Sequence, residues 1–418
     1  MKLSFWPMRS LYSAALLVCL AVPVACWSGN TDDEGENPYK ALELTTKGSE
    51  YVRKGESFTF EYIERINAEA KKDYIISPLS MQFLLGMILD GAKGETADQI
   101  AAVLGYGAGE TAQVNEYCLS MLSQLPQLDR KTTVSIANAI YVDDGWPLKD
   151  AYKSEVGKYY KAEVSNLDFS RPESVNVING WCKKHTNGMI EKVLDEVDSN
   201  MLCYLLNALY FKGMWKEKFD KNRSGEEKFT DEAGSSSKVR MMKQTKEFAY
   251  TENDVFQAVR LPYGNGAYSM FVLLPQKGHG VADIAATLRK SSWQDFRYGM
   301  SDAEVDLWLP RFETKYNILL NDMLKEMGMP DAFDPAKADF SPLSDYALRL
   351  SFVQQHAAIK VDEEGTEAAA VSSAGFEKNA ALPVDNAVFH ADHPFLYLIT
   401  ESSSGVVLFA GRFGNQKE

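Results

Sequence analysis

The pattern of apolar and polar positions along the chain reads as mixed helix and strand. The helical stretches concentrate early. Ile76-Ser77-Pro78-Leu79-Ser80 opens one helix, and Gly91-Ala92-Lys93-Gly94-Glu95-Thr96 precedes another that Gly105 is placed to close. Extended runs dominate later, beginning with Ser135 to Tyr141 and closing with Val406 to Phe413. The polar stretch Asp220 to Lys238, with Ser235-Ser236-Ser237, lies between strand patterns and reads as a surface hairpin or loop rather than a domain boundary. No internal repeat interrupts the pattern. The expectation is one α+β domain over residues 45–418.

One extended segment has an unusual composition. Val361 to Ala370 reads Val-Asp-Glu-Glu-Gly-Thr-Glu-Ala-Ala-Ala, and no proline follows until Pro383. Strand alternation puts Thr366, Ala368, Ala370, Ser372, Ala374 and Phe376 on one face, all small but the last. Glu367, Ala369, Val371, Ser373, Gly375 and Glu377 take the other face. Without proline and without bulk on one side, such a segment can be exposed at one time and a central strand at another. Each backbone hydrogen bond gained contributes roughly 0.5 to 1.5 kcal/mol. Ordering each residue costs about 1 to 2 kcal/mol. These terms nearly cancel, so insertion requires a sheet strained beforehand and relaxed afterwards. An Ala/Ser/Gly-rich surface linker has the same local composition; the rest of the chain separates the two readings.

Ordered matches run from about residue 57 to 413. They include Ile178-Asn179-Gly180-Trp181 with Thr186-Asn187-Gly188-Met189-Ile190, the run Leu206-Asn207-Ala208-Leu209-Tyr210-Phe211-Lys212-Gly213-Met214-Trp215, then Val239-Arg240-Met241-Met242, Leu261-Pro262-Tyr263, Leu309-Pro310-Arg311-Phe312 and His393-Pro394-Phe395. In this order the chain resembles the serpin family. The resemblance implies an α+β fold of three β-sheets and about eight or nine helices, with an exposed reactive-centre loop. It implies a hinge of Glu363, Gly365, Thr366, Glu367, Ala368, Ala369 and Ala370, where insertion starts at Thr366. Ser77, Ser80 and Asn207 match the polar shutter beneath the opening point, and Trp215 matches the aromatic at the top of the sheet, the breach. Many relatives carry a shutter histidine; here Gln355 takes that place, with His356 next to it. Glutamine keeps the donor and acceptor, while a titrating role is lost.

The family spacing places the bait bond between Asn379 and Ala380. A shift of one or two residues gives Lys378, which suits a trypsin-like pocket, and Phe376 or Leu382 suits apolar ones. The implied activity is suicide inhibition of serine-type, or papain-like cysteine-type, endopeptidases. The target forms an acyl-enzyme at the bait, and the freed strand inserts before deacylation. The implied partner is the target protease, bound covalently to a monomeric inhibitor, and no enzymatic turnover or cofactor is expected. A non-inhibitory carrier or chaperone on the same fold is the alternative, although such relatives often carry bulky, charged or proline residues in the hinge, where the face of Thr366, Ala368 and Ala370 is clear of them here.

Lys2 and Arg9 flank the start of an apolar run, Leu11 to Ala25, too short to span a bilayer. Residues 1–26 read as a signal peptide. Pro23-Val24-Ala25-Cys26 resembles a bacterial lipoprotein site with Cys26 as the lipidated residue; an ordinary leader cut near Ala25 is the other reading. Residues 27–44 begin polar and acidic and are expected to be a flexible tether. The protein is therefore placed outside the cytoplasm, as an outer-membrane or cell-surface lipoprotein, otherwise secreted or periplasmic. Its only membrane contact would be that lipid.

Of five cysteines, Cys19 leaves with the leader and Cys26 takes the lipid. Cys118, Cys182 and Cys203 remain, an odd set without paired or metal-binding spacing. With Lys2 and Arg9 removed, 42 basic residues face 58 acidic ones, a net charge of −16, and no basic stripe argues for nucleic acid. A serine hydrolase is the rival from another class. None of His185, His279, His356, His390 or His393 sits in a hydrolase motif, and no Gly-x-Ser-x-Gly elbow occurs. His390 and His393 lack a third metal ligand. The acidic run Asp362-Glu363-Glu364 reads as hinge rather than calcium site.

Overall fold

A computed structural model describes residues 36–70, 72–366 and 387–415. The signal peptide, Cys26, the loop residues Glu367 to Ala370, Phe376 and the bait positions Lys378, Asn379 and Ala380 lie outside them. The tether expected over 27–44 is corrected by the first described residues. Asn37 donates to Asp129 Oδ1 at 2.8 Å, the Leu42 amide to Ser403 Oγ at 3.0 Å and the Glu43 amide to Gln124 Oε1 at 2.8 Å. Leu42 is buried. The buried Leu42 and hydrogen bonds made by Asn37, Pro38, Leu42 and Glu43 dock residues 37–44 on the body.

Thr45 caps α1 (Thr46–Glu69) by accepting from the Gly48 amide. β1 (Tyr74–Ile76) follows, and Ser77, with Pro78 in the first helical turn, starts α2 (Pro78–Asp90). Apolar side chains surround α2, so it is buried along nearly its whole length. α3 (Gly94–Val103) stops where expected. Gly105 takes φ +80°, and a Cβ there would lie 2.5 Å from the Lys54 carbonyl oxygen. Next come α4 (Thr111–Gln124), β2 (Thr132–Asp143), α5 (Asp150–Tyr160), β3 (Glu163–Leu167), α6 (Ser174–His185) and β4 (Cys203–Met214). The supposed boundary is a hairpin of β5 (Gly225–Thr230) and β6 (Ser236–Glu252). After it run β7 (Phe256–Tyr263), β8 (Tyr268–Pro275), α7 (Val281–Lys290), α8 (Trp293–Tyr298), β9 (Ser301–Pro310), β10 (Phe312–Leu319) and α9 (Asn321–Met327). The last strands are β11 (Gln354–Asp362), β12 (Gly365–Thr366), β13 (Ala387–His390), β14 (Phe395–Glu401) and β15 (Val407–Phe413).

Nine α-helices among the described residues agree with the count expected. The strands form two hydrogen-bonded networks where three sheets were expected. One has six strands in the order β10-β11-β12-β4-β2-β3; the other has nine, β1-β15-β14-β8-β7-β6-β9-β13 with β5 on β6. The merger has a simple cause. The 17-residue β6 is long enough to pair with β5 at one end, β9 along its middle and β7 at the other. α2 packs between the two networks, touching β4 and β15, while α6 covers β2 and β4 from the opposite face through Ile178, Trp181 and Cys182.

Candidate functional site: hinge, shutter and seam

The six-stranded sheet is closed at one end only. There β12 lies between β11 and β4, antiparallel to both: Gly365 pairs with Asp362 and Met214, and Thr366 with Val361 and Gly213. Gly365 makes this close fit, since a Cβ would come within 2.0 Å of the Gly213 carbonyl oxygen. Below β12, no ladder joins β4 to β11 among the described residues. The gap opens as a cavity of about 940 Å³, with Ser80, Cys203, Leu205, Asn207, Val353 and Gln355 in its walls.

Thr366 corrects one expectation. It is not the first residue to enter the sheet, because it is already there, 2% exposed with its hydroxyl 2.6 Å from Tyr263 Oη. The acidic hinge is buried rather than solvated. Glu363 pairs with Arg240 at 3.1 Å, and Glu364 with Lys218 at 2.8 Å and Lys221 at 2.9 Å. Burial pushes the Glu363 carboxyl up. Its hydrogen bonds to backbone, Arg240 and Ser224 outweigh that and hold it below the ordinary value. Burial likewise raises Glu364, and its two lysines bring it down. Carboxyls lowered by folding stabilise the hinge above their unfolded range, and that contribution disappears as pH falls through the lowered folded values. The melting temperature of the intact protein should therefore fall on acidification more steeply than that of a Glu363→Gln/Glu364→Gln variant. Parallel pH profiles would remove the ion pairs from the hinge's stability.

Trp215 forms the roof of this end. Its ring stacks on Tyr263 at 4.5 Å and 13°, its Nε1 donates to the Asp362 carbonyl at 2.9 Å, and its amide donates to the Glu364 carbonyl at 2.9 Å. The aromatic is thus bonded directly to the hinge backbone.

At mid-sheet the four expected shutter residues meet. Gln355 accepts from Tyr62 Oη at 2.9 Å and from the Ser77 amide at 3.0 Å, and donates to the Ser77 carbonyl at 2.8 Å. Ser77 Oγ donates to the Leu408 carbonyl at 2.6 Å, tying the shutter to the second sheet. Ser80 Oγ donates to Asn207 Oδ1, and Asn207 donates to Asn138 Oδ1 at 2.7 Å. Asn138 continues to the Tyr160 carbonyl at 2.6 Å. The glutamine does the hydrogen-bonding that the resemblance assigned to this position. Gln355→Ala would leave the Tyr62 hydroxyl and the Ser77 amide without their acceptor, each costing roughly 1 to 3 kcal/mol, while the Ser77 carbonyl keeps the Met81 amide at 3.2 Å. A drop of about 3 kcal/mol in unfolding free energy is expected, measured by denaturant titration; a change under about 0.5 kcal/mol, the size of an ordinary surface substitution, contradicts it.

Sequence reasoning missed Tyr62, Asn138, Tyr263, Arg240, Lys218 and Lys221. Arg240 and Tyr263 stood in the matched runs and were legible as positions, though not as partners of the hinge. The remaining groups have structural roles. His390 pairs with Asp306 at 2.9 Å and stacks on Trp308, while His393 bonds Asp392 and the Pro275 carbonyl. Among the described residues no cluster fit to hold a metal occurs, and Cys118, Cys182 and Cys203 are free thiols. Burial raises the thiol pKa of Cys182 and of Cys203, each to about 12. Both belong to the cavity wall.

The comparisons agree with this architecture. A family model described as Serpin (serine protease inhibitor) matches residues 53–416. Serpin B6 of Macaca fascicularis is 33% identical over 371 residues, covering 86% of this chain and 97% of the relative. An uncharacterized serpin-like protein of Thermococcus kodakarensis is 30% identical over 394 residues, covering 93% and 91%. The crystal structure of the thermophilic serpin tengpin in its native state superposes with a TM-score of 0.80 at 30% identity, covering 91% of this chain and 97% of tengpin. With the hinge seated at the head of an open seam above a polar shutter, and with these matches over most of its length, the chain belongs to the serpin family.

Proposed function

We propose that this serpin is a suicide-substrate inhibitor of endopeptidases. The observation that carries the reading is the half-closed sheet: two hinge residues wedged between β11 and β4, with a cavity lined by both strands below them. A protease whose nucleophile attacks the carbonyl of Lys378, Asn379 or Ala380 is acylated there as the peptide bond breaks and the new amino terminus leaves, which frees a segment whose small-residue face suits that cavity. Insertion carries the acylated protease along the sheet, and its catalytic groups lose the close placement on which deacylation depends. The inhibitor contributes no catalytic side chain and turns nothing over.

Incubation with a panel of serine and cysteine endopeptidases should give a covalent band that survives boiling in detergent, and the mass of the released fragment names the bait bond. Simple cleavage by every protease, with no such band, contradicts inhibition and favours a carrier or chaperone role. The same reading takes Cys26 as the lipidated residue, which anchors the inhibitor at the outer membrane or cell surface. Mass spectrometry of the native amino terminus tests it: a diacylglyceryl-modified Cys26 is expected, and an unmodified terminus near Ala25 places the protein free in the periplasm or medium.

A further inference from the structure

β13 is the first described strand after Thr366, so the chain that carries the bait returns to the body through it. Its hold is slight. Among the described residues β13 lies at the end of the nine-stranded sheet and pairs with β9 alone, in parallel, from Ala387 on Val305 to His390 on Trp308. Phe389 is buried while Val388 is exposed, so one ring supplies the apolar grip. A strand held this way opens locally at far less cost than the whole fold.

The turn that follows is built around a charge. His393 Nδ1 lies 2.8 Å from Asp392 Oδ1, and its Nε2 lies 3.0 Å from the Pro275 carbonyl at the end of β8. Both partners are acceptors. A neutral imidazole has one N–H and must turn a lone pair on one of them, whereas the imidazolium donates to both. The surroundings fix the partners in place: the Thr230 amide of β5 donates to the Asp392 carbonyl at 2.8 Å, and the Ala391 amide to the Trp308 carbonyl at 2.9 Å. Of the charged groups nearby, Asp392 acts on His393 directly. His390 acts on Asp392, bonds Asp306 of β9 at 2.9 Å and stacks on Trp308, over which Lys243 of β6 also sits at 3.9 Å. Gly414 stands against Pro394, with its amide on Asp73 at 2.6 Å.

Burial by itself would lower the His393 pKa. The bonds to Asp392 and the Pro275 carbonyl outweigh it and raise the pKa above the ordinary histidine value. A raised folded value stabilises the turn below the unfolded value, and that contribution disappears as pH rises through the folded one.

From this geometry we propose that His393 is a proton-operated pin on the exit of the bait segment: as imidazolium it ties the turn after β13 to the end of β8, and as neutral imidazole it lets β13 fray from β9. The two ends of the segment then answer pH with opposite sign. The seat of Glu363 and Glu364 loosens on acidification, and the exit loosens as pH rises. The pin itself stands without the inhibitory reading; its part in presenting the bait rests on that reading.

The test is amide hydrogen exchange of residues 387–392 in the uncut full-length protein, expressed as protection factors so that the intrinsic pH dependence cancels. Wild type, His393→Arg, His393→Ala and Asp392→Asn are compared from about pH 5.5 to about pH 8.5, either side of the ordinary histidine value. Wild-type protection should fall about threefold or more across this range, the scale of an ion pair on a partly exposed ring. His393→Arg keeps its donors charged and should stay protected throughout; His393→Ala should be unprotected throughout, and Asp392→Asn should lose protection at lower pH than wild type. Unchanged protection of the β8 amides excludes a global defect, and if His393→Ala does not fold, the other two variants decide. Parallel profiles for wild type and His393→Arg overturn the pin, as does wild-type protection in His393→Ala at the acidic end. With a protease that forms the covalent complex, wild type held at the upper pH should lose complex-forming capacity about threefold faster than His393→Arg; equal loss overturns the pin's part in presenting the bait. If no protease forms a complex, the inhibitory reading fails and the amide profiles still decide the pin.

Discussion

Thr366→Arg should be cleaved at the wild-type rate and form no covalent complex. Thr366 is 2% exposed, flanked by Val361 and Gly213, with its hydroxyl on Tyr263. An arginine there must either carry its charge into an apolar core, at a cost of several kcal/mol, or leave the sheet. It leaves, and β12 goes with it. Because Thr366 is already paired before any cleavage, the substitution acts twice: it unseats the hinge in the intact protein, and it stops the next residues from following. The residues of the bait bond are unchanged and keep their chemistry, so the protein changes from inhibitor to substrate. A denaturing gel with the target protease decides it. A complex band of wild-type intensity would contradict the role given to this position.

Trp215→Ala should be the most destabilising single change near the hinge, by roughly 3 to 5 kcal/mol. The ring is buried, stacked on Tyr263 and bonded to the Asp362 carbonyl. Removing it leaves a cavity beneath the hinge and takes a donor from the Asp362 carbonyl. Tyr263 loses a stacking partner worth about 0.5 to 1.5 kcal/mol beyond its area, and Thr366 then rests on a less ordered hydroxyl. A lower denaturation midpoint and a larger cleaved fraction per complex formed are both expected. Trp215→Phe, which retains the stack without the donor, should fall between. Equal midpoints for Trp215→Ala and wild type would show that the hinge does not depend on its roof.

The parts of this site that were legible in the sequence are those with a local signature. The small face from Thr366 to Ala374 shows by alternation, and Ser77, Ser80, Asn207 and Trp215 show through the ordered runs around them. Gln355 falls at the shutter position that the resemblance implies, and it bonds both Ser77 and Tyr62. What stayed hidden depends on distant partners. Asn138 looks like any polar residue in a strand until Asn207 arrives from 69 positions away. Glu363 and Glu364 look solvated until Arg240, Lys218 and Lys221 are folded over them. The continuity of two sheets through β6 could not be read either, because a 17-residue strand has no local mark saying where one set of partners ends and the next begins. The docking of residues 37–44 was hidden for the same reason, since one buried leucine and hydrogen bonds to remote positions such as Gln124, Asp129 and Ser403 leave no period in the sequence.

The central claim is that the intact sheet is held open short of its most stable arrangement, and that cutting the loop lets it close. Thermal melting of the intact protein and of the same protein cut once between Lys378 and Leu382, with both fragments retained, measures this directly. The account predicts that the cut protein melts at a distinctly higher temperature. A cut protein that melts at or below the temperature of the intact one contradicts it.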